Sequence, residues 1–320
     1  MTLIKSISGI RGIINTSLNS NIIKKYVHAF SNTSIDGKIL LGRDTRNSGD
    51  EYINIAKYLL NHINRESIDC GIVPTPTAQF LVKNNNYAGG IVFTASHNPS
   101  NWNGMKFIDS DGIFIDQEKL NQLELEFKNL KSEEIKSFSE SNENPSLEYI
   151  DSHLTDILNL SIVTSKLIKE KQFNVVVDCA NGAASIALPR LLEKLSCKVT
   201  KVNSEYSENF GRSPEPIPEN IKDLSKAVVK NKADIGFATD PDGDRLSVVD
   251  NLGNPLGEEL SLAFCIYYFL KFFPDLRNNP IVSNLSTSMI SEKISNSFNT
   301  PYIRTPVGEI NVVKEMKLKK

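Results

Sequence analysis

Two short polar segments of this 320-residue chain each follow an apolar run and hold residue types that could carry chemistry. The first is Thr94–Pro99 (TASHNP), which follows Gly90–Phe93. A serine after a strand can act as a nucleophile when a base or a cation lies close, and Ser96 has His97 beside it and Lys106 ten positions further on. The pattern is not the G-x-S-x-G of a hydrolase elbow. The alternative interpretation is a turn of Ser, Asn and Pro without chemistry.

The second segment is Asp240–Arg245 (DPDGDR), which follows the apolar run Ala233–Ala238. Carboxylates at alternate positions of a short loop repel one another unless a cation lies among them. Mg²⁺ fits, because it takes oxygen ligands and keeps positions open for phosphate oxygens. An EF-hand loop would need Gly and Glu where this chain has Arg245 and Asn251. The alternative is an acidic turn that ends a strand, which is costly without a metal. The predicted metal ligands are Asp240, Asp242 and Asp244.

Two further segments contain arginines. Arg11 lies between Gly9 and Gly12, and the glycines predict a tight backbone with a guanidinium that could reach a phosphate. A solvated arginine is the alternative there. In the segment GRDTR, we expect Asp44 and Arg46 to pair with one another or across a domain boundary, which is a structural role.

Alternating strands and helices must position these segments. The pattern predicts an α/β fold of serial α/β domains, with mixed, mainly parallel sheets flanked by helices. Ligands bind such sheets at the carboxyl ends of strands, where both polar segments lie. Charged, Ser-rich Lys131–Pro145 is the predicted linker, which gives domains at 1–145, 146–254 and an incomplete third at 255–320. The predicted strands are 38–41, 67–73, 90–93, 105–108, 173–178, 199–202, 233–238, 246–249 and 281–284, and the predicted helices are 50–61, 147–160, 186–195, 260–272, 288–297 and 309–317.

Composition narrows the class of protein. The formal net charge of −2 argues against a nucleic-acid binder but not against an anionic substrate, which a few local arginines can hold. The four cysteines form no close pair, so neither a zinc knuckle nor a CxxC redox motif is predicted. The N-terminal segment lacks a secretory signal, and no stretch is long and apolar enough for a membrane span. We therefore expect a cytoplasmic protein, monomeric or homodimeric, without nucleic-acid or membrane partners.

The polar segments, taken together and in this order, resemble the α-D-phosphohexomutase superfamily of phosphoglucomutases, phosphomannomutases and phosphoglucosamine mutases. The resemblance runs along the whole chain and rests on the IRG near the start, GRDTRNSG, TASHNP with Asn103-Gly104 and Lys106, and DPDGDR. Finer features are similar to the phosphoglucosamine mutase branch, namely TLIKSISGIRG, PEPIPEN (Pro214–Asn220), SNLSTSM (Ser283–Met289) and VGEINVV (Val307–Val313).

The resemblance implies a mechanism. Ser96 would carry a phosphoryl group, and the three aspartates would bind one Mg²⁺ together with an oxygen on Ser96. His97 and Lys106 would serve proton transfer and charge stabilisation, Arg11 would support catalysis at the phosphoserine, and Arg245 and Asn98 would bind substrate. Ser96 would phosphorylate a hexose phosphate, and the hexose 1,6-bisphosphate formed would reorient and return its other phosphoryl group. The expected reaction converts glucosamine 6-phosphate to glucosamine 1-phosphate.

The family pattern continues beyond this sequence with a sugar-recognition loop and a C-terminal domain that holds the non-reacting phosphate. The chain is therefore expected to be truncated and a weak catalyst alone, since remote phosphate binding orients the reacting group. Three alternatives stay open at this point. They are a phosphomannomutase or phosphoglucomutase, a metal-dependent phosphatase that uses the same acids, and a non-catalytic remnant that binds a sugar phosphate or a partner.

Overall fold

The computed structural model describes residues 3–130 and 147–319, apart from the side chain of Glu258. Three sheets follow one another along the chain, and we refer to residues 3–130, 147–256 and 257–319 as the first, second and third units. The predicted linker Lys131–Pro145 lies outside the described residues. The predicted architecture of serial α/β units with mixed sheets flanked by helices is confirmed.

The first unit is built on a six-stranded sheet in the order β1-β2-β6-β5-β3-β4. Strand β3 is parallel to β4 and β5, while β6, β2 and β1 extend the sheet in antiparallel pairs. Its elements are β1 (Ile4–Ser6), β2 (Gly9–Ile13), α1 (Ser20–Thr33), β3 (Ile39–Arg43), α2 (Ser48–His62), β4 (Ser67–Ile72), α3 (Thr75–Asn84), β5 (Gly89–Phe93), β6 (Trp102–Asp109) and α4 (Gln117–Asn129).

Successive side chains of the central strands enter two different cores, because strand residues alternate between the two faces of a sheet. Ile91 and Phe93 of β5 pack with α1, α2 and α4, whereas Val92 between them packs with α3 on the opposite face. Both faces of these strands are covered, which explains why β5 reads as a continuous apolar run. The carboxyl end of β5 is thereby fixed, and the TASHNP segment starts there.

The second unit has the sheet order β10-β9-β7-β8, in which β10 alone is antiparallel to its neighbour. Helix α7 covers one face and α8 the other. Helix α5 packs on α3 of the first unit, where Ile150 and Leu154 join the core under β5. The elements are α5 (Leu147–Asn159), α6 (Ser165–Lys171), β7 (Asn174–Asp178), α7 (Ala184–Lys194), β8 (Lys198–Val202), α8 (Lys222–Lys230), β9 (Ile235–Thr239) and β10 (Leu246–Val249).

The third unit pairs two parallel strands, β11 and β12, and its last helix returns to the first unit. Lys314 and Lys317 of that helix form ion pairs with Asp116 and Asp111. None of the helices in the described ranges is both long enough and apolar enough to cross a membrane. The elements are α9 (Gly257–Phe272), a 3₁₀ turn at Pro274–Leu276, β11 (Ile281–Asn284), α10 (Met289–Ser297), β12 (Tyr302–Thr305) and α11 (Glu309–Leu318).

The tight backbone that the glycines around Arg11 suggested is instead the extended strand β2. Of the glycines around Arg11, Gly9 serves strand packing, because a Cβ there would come within 2.4 Å of the Met105 carbonyl oxygen on β6. A Cβ on Gly104 of β6 would come within 2.4 Å of the Ile10 carbonyl oxygen on β2, so only glycine lets the strands approach this closely. Arg11 pairs in register with Gly104. The arginine therefore stands on a sheet strand beside β6, which also carries Lys106.

Candidate active site

Ser96 lies just beyond the carboxyl end of β5, in a left-handed backbone conformation with φ of 51°. Its backbone N–H donates to Thr94 Oγ1 at 2.9 Å, which holds the turn. The side chain is almost completely buried, and its Oγ donates to Asp240 Oδ2 at 2.8 Å. The same Oγ lies 3.3 Å from His97 Nδ1. The structure therefore brings the two polar segments predicted from sequence into direct contact, although they lie in different units.

Arg46 stabilises the turn that contains Ser96. Its Nη2 donates to the carbonyl oxygens of Ser96 at 2.9 Å and Asn98 at 2.5 Å, and its Nη1 pairs with Asp44. The guanidinium stacks over the ring of Phe210 in the second unit, 4.9 Å from the centroid. Arg46 thus pairs within its own segment and also contacts the neighbouring unit. Both are the kind of contact expected of a structural role for this segment.

The acidic loop follows β9 and reverses direction at Gly243, whose φ of 71° favours glycine. One carboxylate oxygen from each of Asp240, Asp242 and Asp244 lies within 4.8 Å of the others. Asp242 Oδ1 is buried and has no hydrogen-bond partner among the described residues, which is unusual for a buried carboxylate. Three clustered carboxylates with an unpaired oxygen, next to Ser96 Oγ, suit a hard cation that takes oxygen ligands. The donor set fits Mg²⁺.

Lys106 lies against this acidic loop. Its Nζ donates to Asp242 Oδ2 at 2.6 Å and also pairs with Asp244. Burial alone would lower the pKa of Lys106, but the two carboxylates outweigh burial and raise it above its usual value. The lysine is therefore held protonated, 136 positions away in sequence from Asp242. This places a fixed positive charge beside the predicted metal ligands.

The three aspartates do not titrate alike. Burial and the charge of Asp242 raise the pKa of Asp240 well above its usual value, and the same two causes raise the pKa of Asp244. For Asp242, burial would raise the pKa, but Lys106 and hydrogen bonds from neighbouring groups lower it. The raised pKa values of Asp240 and Asp244 therefore reflect burial first and, after it, the negative charge that one lysine leaves unbalanced among three carboxylates. A divalent cation would balance that negative charge.

Thr75 is a site residue that sequence reasoning missed. Its Oγ1 donates to Asp242 Oδ2 at 2.7 Å, and its backbone N–H donates to the Asp242 carbonyl at 2.8 Å. It opens α3 in the segment Pro74–Thr77, directly after β4. The available signal was its place at the carboxyl end of a strand, the same position that singled out the other two segments. Thr75 ties the acidic loop of the second unit to the first.

Arg11 and Arg245 approach the serine from the open side. Arg11 Nη1 donates to Asn98 Oδ1 at 3.2 Å, so Asn98 contacts the arginine. Arg245 pairs with Glu215, a residue that the sequence analysis did not single out, and Glu215 also lies 3.4 Å from His97 Nε2. Two guanidinium groups at one opening suit a phosphate ligand.

A cavity of about 120 Å³ opens above Ser96 and is shared by all three units. Glu309 at the start of α11 reaches its wall and accepts a weak hydrogen bond of 3.4 Å from Gln79. The lining does not include His97, Asn98, Asp240 or Asp242. A larger depression of about 460 Å³ lies along α2 and β4 and contains none of the predicted site residues. The cavity above Ser96 is lined by Ile7, Ser8, Arg11, Ser96, Lys106, Phe114, Asp244, Arg245, Glu309 and Ile310.

Comparisons with known proteins agree with this architecture. Models of the phosphoglucomutase/phosphomannomutase α/β/α domains I, II and III match residues 3–134, 147–253 and 258–320. The chain is 32% identical over 312 residues to the phosphoglucosamine/phosphogalactosamine mutase of Sulfurisphaera tokodaii, covering 96% of this chain and 68% of that protein. It is 32% identical over 315 residues to a probable phosphoglucosamine mutase of Thermococcus kodakarensis, covering 97% of this chain and 67% of that protein.

A solved structure of a phosphoglucomutase/phosphomannomutase family protein from Burkholderia thailandensis superposes with a TM-score of 0.81 at 25% identity, covering 99% of this chain and 70% of that one. The chain spans about two thirds of the length of the curated relatives it matches. Three successive domain models and two relatives at this level of identity show the family. The chain belongs to the phosphoglucomutase/phosphomannomutase family of the phosphohexomutase superfamily, and its enzyme class is that of an isomerase.

Proposed function

We propose that the chain interconverts a hexose 6-phosphate and a hexose 1-phosphate through phosphorylated Ser96. The main support for this proposal is the contact between Ser96 Oγ and Asp240. It puts a buried nucleophile beside a cluster of three carboxylates that fits a divalent cation. Phosphoryl transfer asks a protein chiefly for positioning and charge neutralisation. Glucosamine 6-phosphate is the proposed substrate, because the relatives reported above are named for amino-sugar phosphates.

Asp240, Asp242, Asp244 and an oxygen on Ser96 would hold one Mg²⁺. When bound, the cation supplies Lewis-acid stabilisation of charge on the phosphoryl oxygens. The chain's own contribution is a set of carboxylates fixed by Thr75 and by the backbone N–H groups of Asp244 and Arg245, which donate to Asp240 Oδ1 at 3.2 and 3.1 Å. Rigid ligands need no rearrangement at the moment of transfer.

In the proposed transfer, the bond from phosphorus to Ser96 Oγ breaks as a bond forms to a sugar hydroxyl oxygen. The sugar hydroxyl loses a proton, and Ser96 Oγ gains one. His97 Nδ1, 3.3 Å from Oγ, is placed to exchange the serine proton, and protonated Lys106 offsets negative charge beside it. The bisphosphate so formed reorients in the site, and the reverse step returns its other phosphoryl group to Ser96.

Arg11, Arg245 and Asn98 are the proposed phosphate-binding and substrate-binding side chains. Both guanidinium groups line the cavity, and Asn98 holds Arg11 in place. Arginine suits this task because its planar group can donate two parallel hydrogen bonds to a phosphate.

The test measures phosphorylation of the serine directly, which does not require complete turnover. The chain is incubated with Mg²⁺ and glucosamine 1,6-bisphosphate or glucose 1,6-bisphosphate, and its intact mass is recorded. We expect a gain of one phosphoryl group in the unsubstituted chain and none in the Ser96→Ala variant. An unmodified serine under all these conditions would overturn the proposal and favour a non-catalytic sugar-phosphate binder.

Substrate choice is tested with the 6-phosphates of glucosamine, mannose and glucose, offered to phosphorylated protein. We expect glucosamine 6-phosphate to remove the phosphoryl group fastest, and a faster reaction with mannose or glucose 6-phosphate would reassign the substrate. Release of inorganic phosphate without any bisphosphate formed would instead identify a metal-dependent phosphatase.

A further inference from the structure

Glu309 supplies a carboxylate to the wall of the cavity above Ser96 that the proposed transfer does not use. Within the described ranges it forms no ion pair, and it accepts only a weak hydrogen bond of 3.4 Å from Gln79 Nε2. The other carboxylate of the lining, Asp244, is instead paired with Lys106. The side chain of Glu309 is exposed, so its carboxylate is open to a ligand in the cavity.

The backbone fixes the place of this carboxylate. Gly308 has a φ of 127°, a conformation that favours glycine, and α11 begins directly after it at Glu309. The next residue, Ile310, is buried and also lines the cavity. Further along the helix, Lys314 pairs with Asp116 of the first unit. The turn before Glu309 and the packing of the helix after it therefore hold the carboxylate at the cavity.

The other charged groups of the lining indicate which kind of ligand would pair with Glu309. Arg11, Lys106 and Arg245 are cationic and suit a phosphate. A carboxylate without a partner repels an anionic ligand in the same cavity, unless the ligand also carries a positive charge close to that carboxylate. A ligand with both a phosphate and an ammonium group therefore complements both parts of the lining.

Glucosamine 6-phosphate carries these two groups. Its amino group stands on C2, next to the C1 hydroxyl that would receive the phosphoryl group, and it is largely protonated at neutral pH, as an α-amino group is. When the C1 hydroxyl meets Ser96, the ammonium group lies in the same cavity, whose volume is about 120 Å³ and whose wall includes Glu309. Glucose 6-phosphate presents a neutral hydroxyl at that place. A carboxylate forms an ion pair with the ammonium group but only a hydrogen bond with the hydroxyl.

We infer that Glu309 is a specificity-determining residue, which binds the ammonium group of an amino-sugar phosphate while Ser96 faces the adjacent hydroxyl. The inference rests on the proposed function, since it places the C1 hydroxyl at the phosphoryl carrier. The competing role is structural only, because an acidic residue in the first turn of a helix stabilises that helix. In that role Glu309 would affect all hexose phosphates alike, whatever their charge.

The first experiment compares the binding of two sugar phosphates. Dissociation constants of glucosamine 6-phosphate and glucose 6-phosphate are measured by isothermal titration calorimetry at pH 7 with Mg²⁺, for the unsubstituted chain and for Glu309→Gln. Glutamine keeps the size of the side chain and removes its charge. We expect the unsubstituted chain to prefer glucosamine 6-phosphate, and Glu309→Gln to weaken that binding by about 10- to 100-fold, the range typical of a hydrogen bond to a charged group. Glucose 6-phosphate should bind at least as tightly as before, because a negative charge is removed from the cavity.

Glu315→Gln is the matched control, because Glu315 lies on the same helix but is not part of the cavity lining. It should leave both dissociation constants unchanged. The inference is overturned by equal weakening for both sugars in Glu309→Gln, by an unchanged preference in that variant, or by the absence of a preference in the unsubstituted chain. Circular dichroism checks folding, and Glu309→Ala replaces Glu309→Gln in the comparison if the latter does not fold.

The second experiment measures the rate at which each sugar phosphate removes the phosphoryl group from phosphorylated Ser96. We expect Glu309→Gln to lower the second-order rate constant for glucosamine 6-phosphate by the same factor as the affinity, and to leave that for glucose 6-phosphate nearly unchanged. An equal loss for both sugars would instead support the structural role. Absence of phosphorylation in the unsubstituted chain would refute the proposed function, and the binding comparison would still decide the role of Glu309.

Discussion

Replacing Arg46 with methionine tests whether the buried pair beneath Ser96 supports the first unit. The side chains of Arg46 and Asp44 are both completely buried. The guanidinium also donates hydrogen bonds to the carbonyl oxygens of Ser96 and Asn98. Methionine fills a similar volume and still packs on Phe210 but donates no hydrogen bond. The substitution therefore removes the cation that pairs with the Asp44 carboxylate, which still accepts from Thr94 Oγ1 and from the backbone N–H of residue 46. It also leaves the carbonyl oxygens of Ser96 and Asn98 without the guanidinium donor.

The expected cost follows from those losses. Removing one partner of a buried ion pair costs about 3–5 kcal/mol, and each buried carbonyl left without a donor adds to the loss. We take about 4 kcal/mol as the change in the free energy of unfolding. With a urea dependence of about 2 kcal/mol/M, the midpoint of unfolding should fall by about 2 M. Asp44→Asn combined with Arg46→Met should recover about half of this, because the unpaired charge is removed.

The chain has one tryptophan, Trp102 on β6, so its fluorescence reports urea unfolding of the first unit. The control is Lys38→Met in the same unit, because Lys38 and its partner Glu66, 2.9 Å apart, are both exposed. An exposed ion pair contributes little to stability. If Arg46→Met shifts the midpoint no more than Lys38→Met does, or if the double variant is less stable than Arg46→Met alone, the reasoning about the buried pair is refuted.

Three further predictions concern the boundary between the first two units. Gly182→Ala should weaken Mg²⁺ binding, measured by isothermal titration calorimetry, because the added Cβ would come within 2.3 Å of the Pro241 carbonyl oxygen and displace the acidic loop; unchanged affinity would contradict this. Thr75→Val should lower the free energy of unfolding in urea by about 2 kcal/mol, since it removes a buried hydrogen bond to a carboxylate, whereas Thr75→Ser should not. Burial lowers the pKa of His153, which contacts Thr77 at 2.9 Å and stacks on Phe80, so the unfolded chain binds the proton more readily. The stability that neutral His153 contributes should be fully present above pH 6.5 and decline as the pH falls below it. In His153→Gln, the melting temperature should therefore change less between pH 7.5 and 5.5 than in the unsubstituted chain.

Much of the fold could be predicted because buried parallel strands produce continuous apolar runs. Strands β5, β7 and β11 were predicted within one residue at each end. Helices α1, α3, α4, α6 and α8 were missed. The buried residues of α1 and α4 do recur at helical spacing, as Leu120 and Leu123 show after the N-cap Asp116. Strands β1 and β2 carry no such signal, because a three-residue strand and a glycine-rich one are extended only through pairing, β1 with β2 and β2 with β6.

Some residues of the candidate site could likewise be predicted from the sequence, and others could not. Ser96 and the acidic loop could be found because each follows the carboxyl end of its own strand, which is where ligands bind α/β sheets. Thr75 also follows a strand, but nothing in the sequence assigns it to the acidic loop, and Glu215 carries no such signal. Thr75 lies 167 positions from the aspartate it supports, and the pairing depends on how two sheets dock. The residues that could do chemistry were visible in the sequence, while those that hold them in place were not.

The left-handed backbone at Ser96 limits which alcohol can occupy this position. Threonine offers the same hydroxyl, and protein kinases phosphorylate both residue types. A β-branched side chain is a marked outlier at positive φ, because its second branch crowds the backbone. At a φ of 51°, a threonine would cost stability before any reaction began. The restriction to serine therefore comes from the backbone conformation of the turn and not from the reactivity of the hydroxyl group. It disfavours Ser96→Thr, the substitution that would otherwise change this position least.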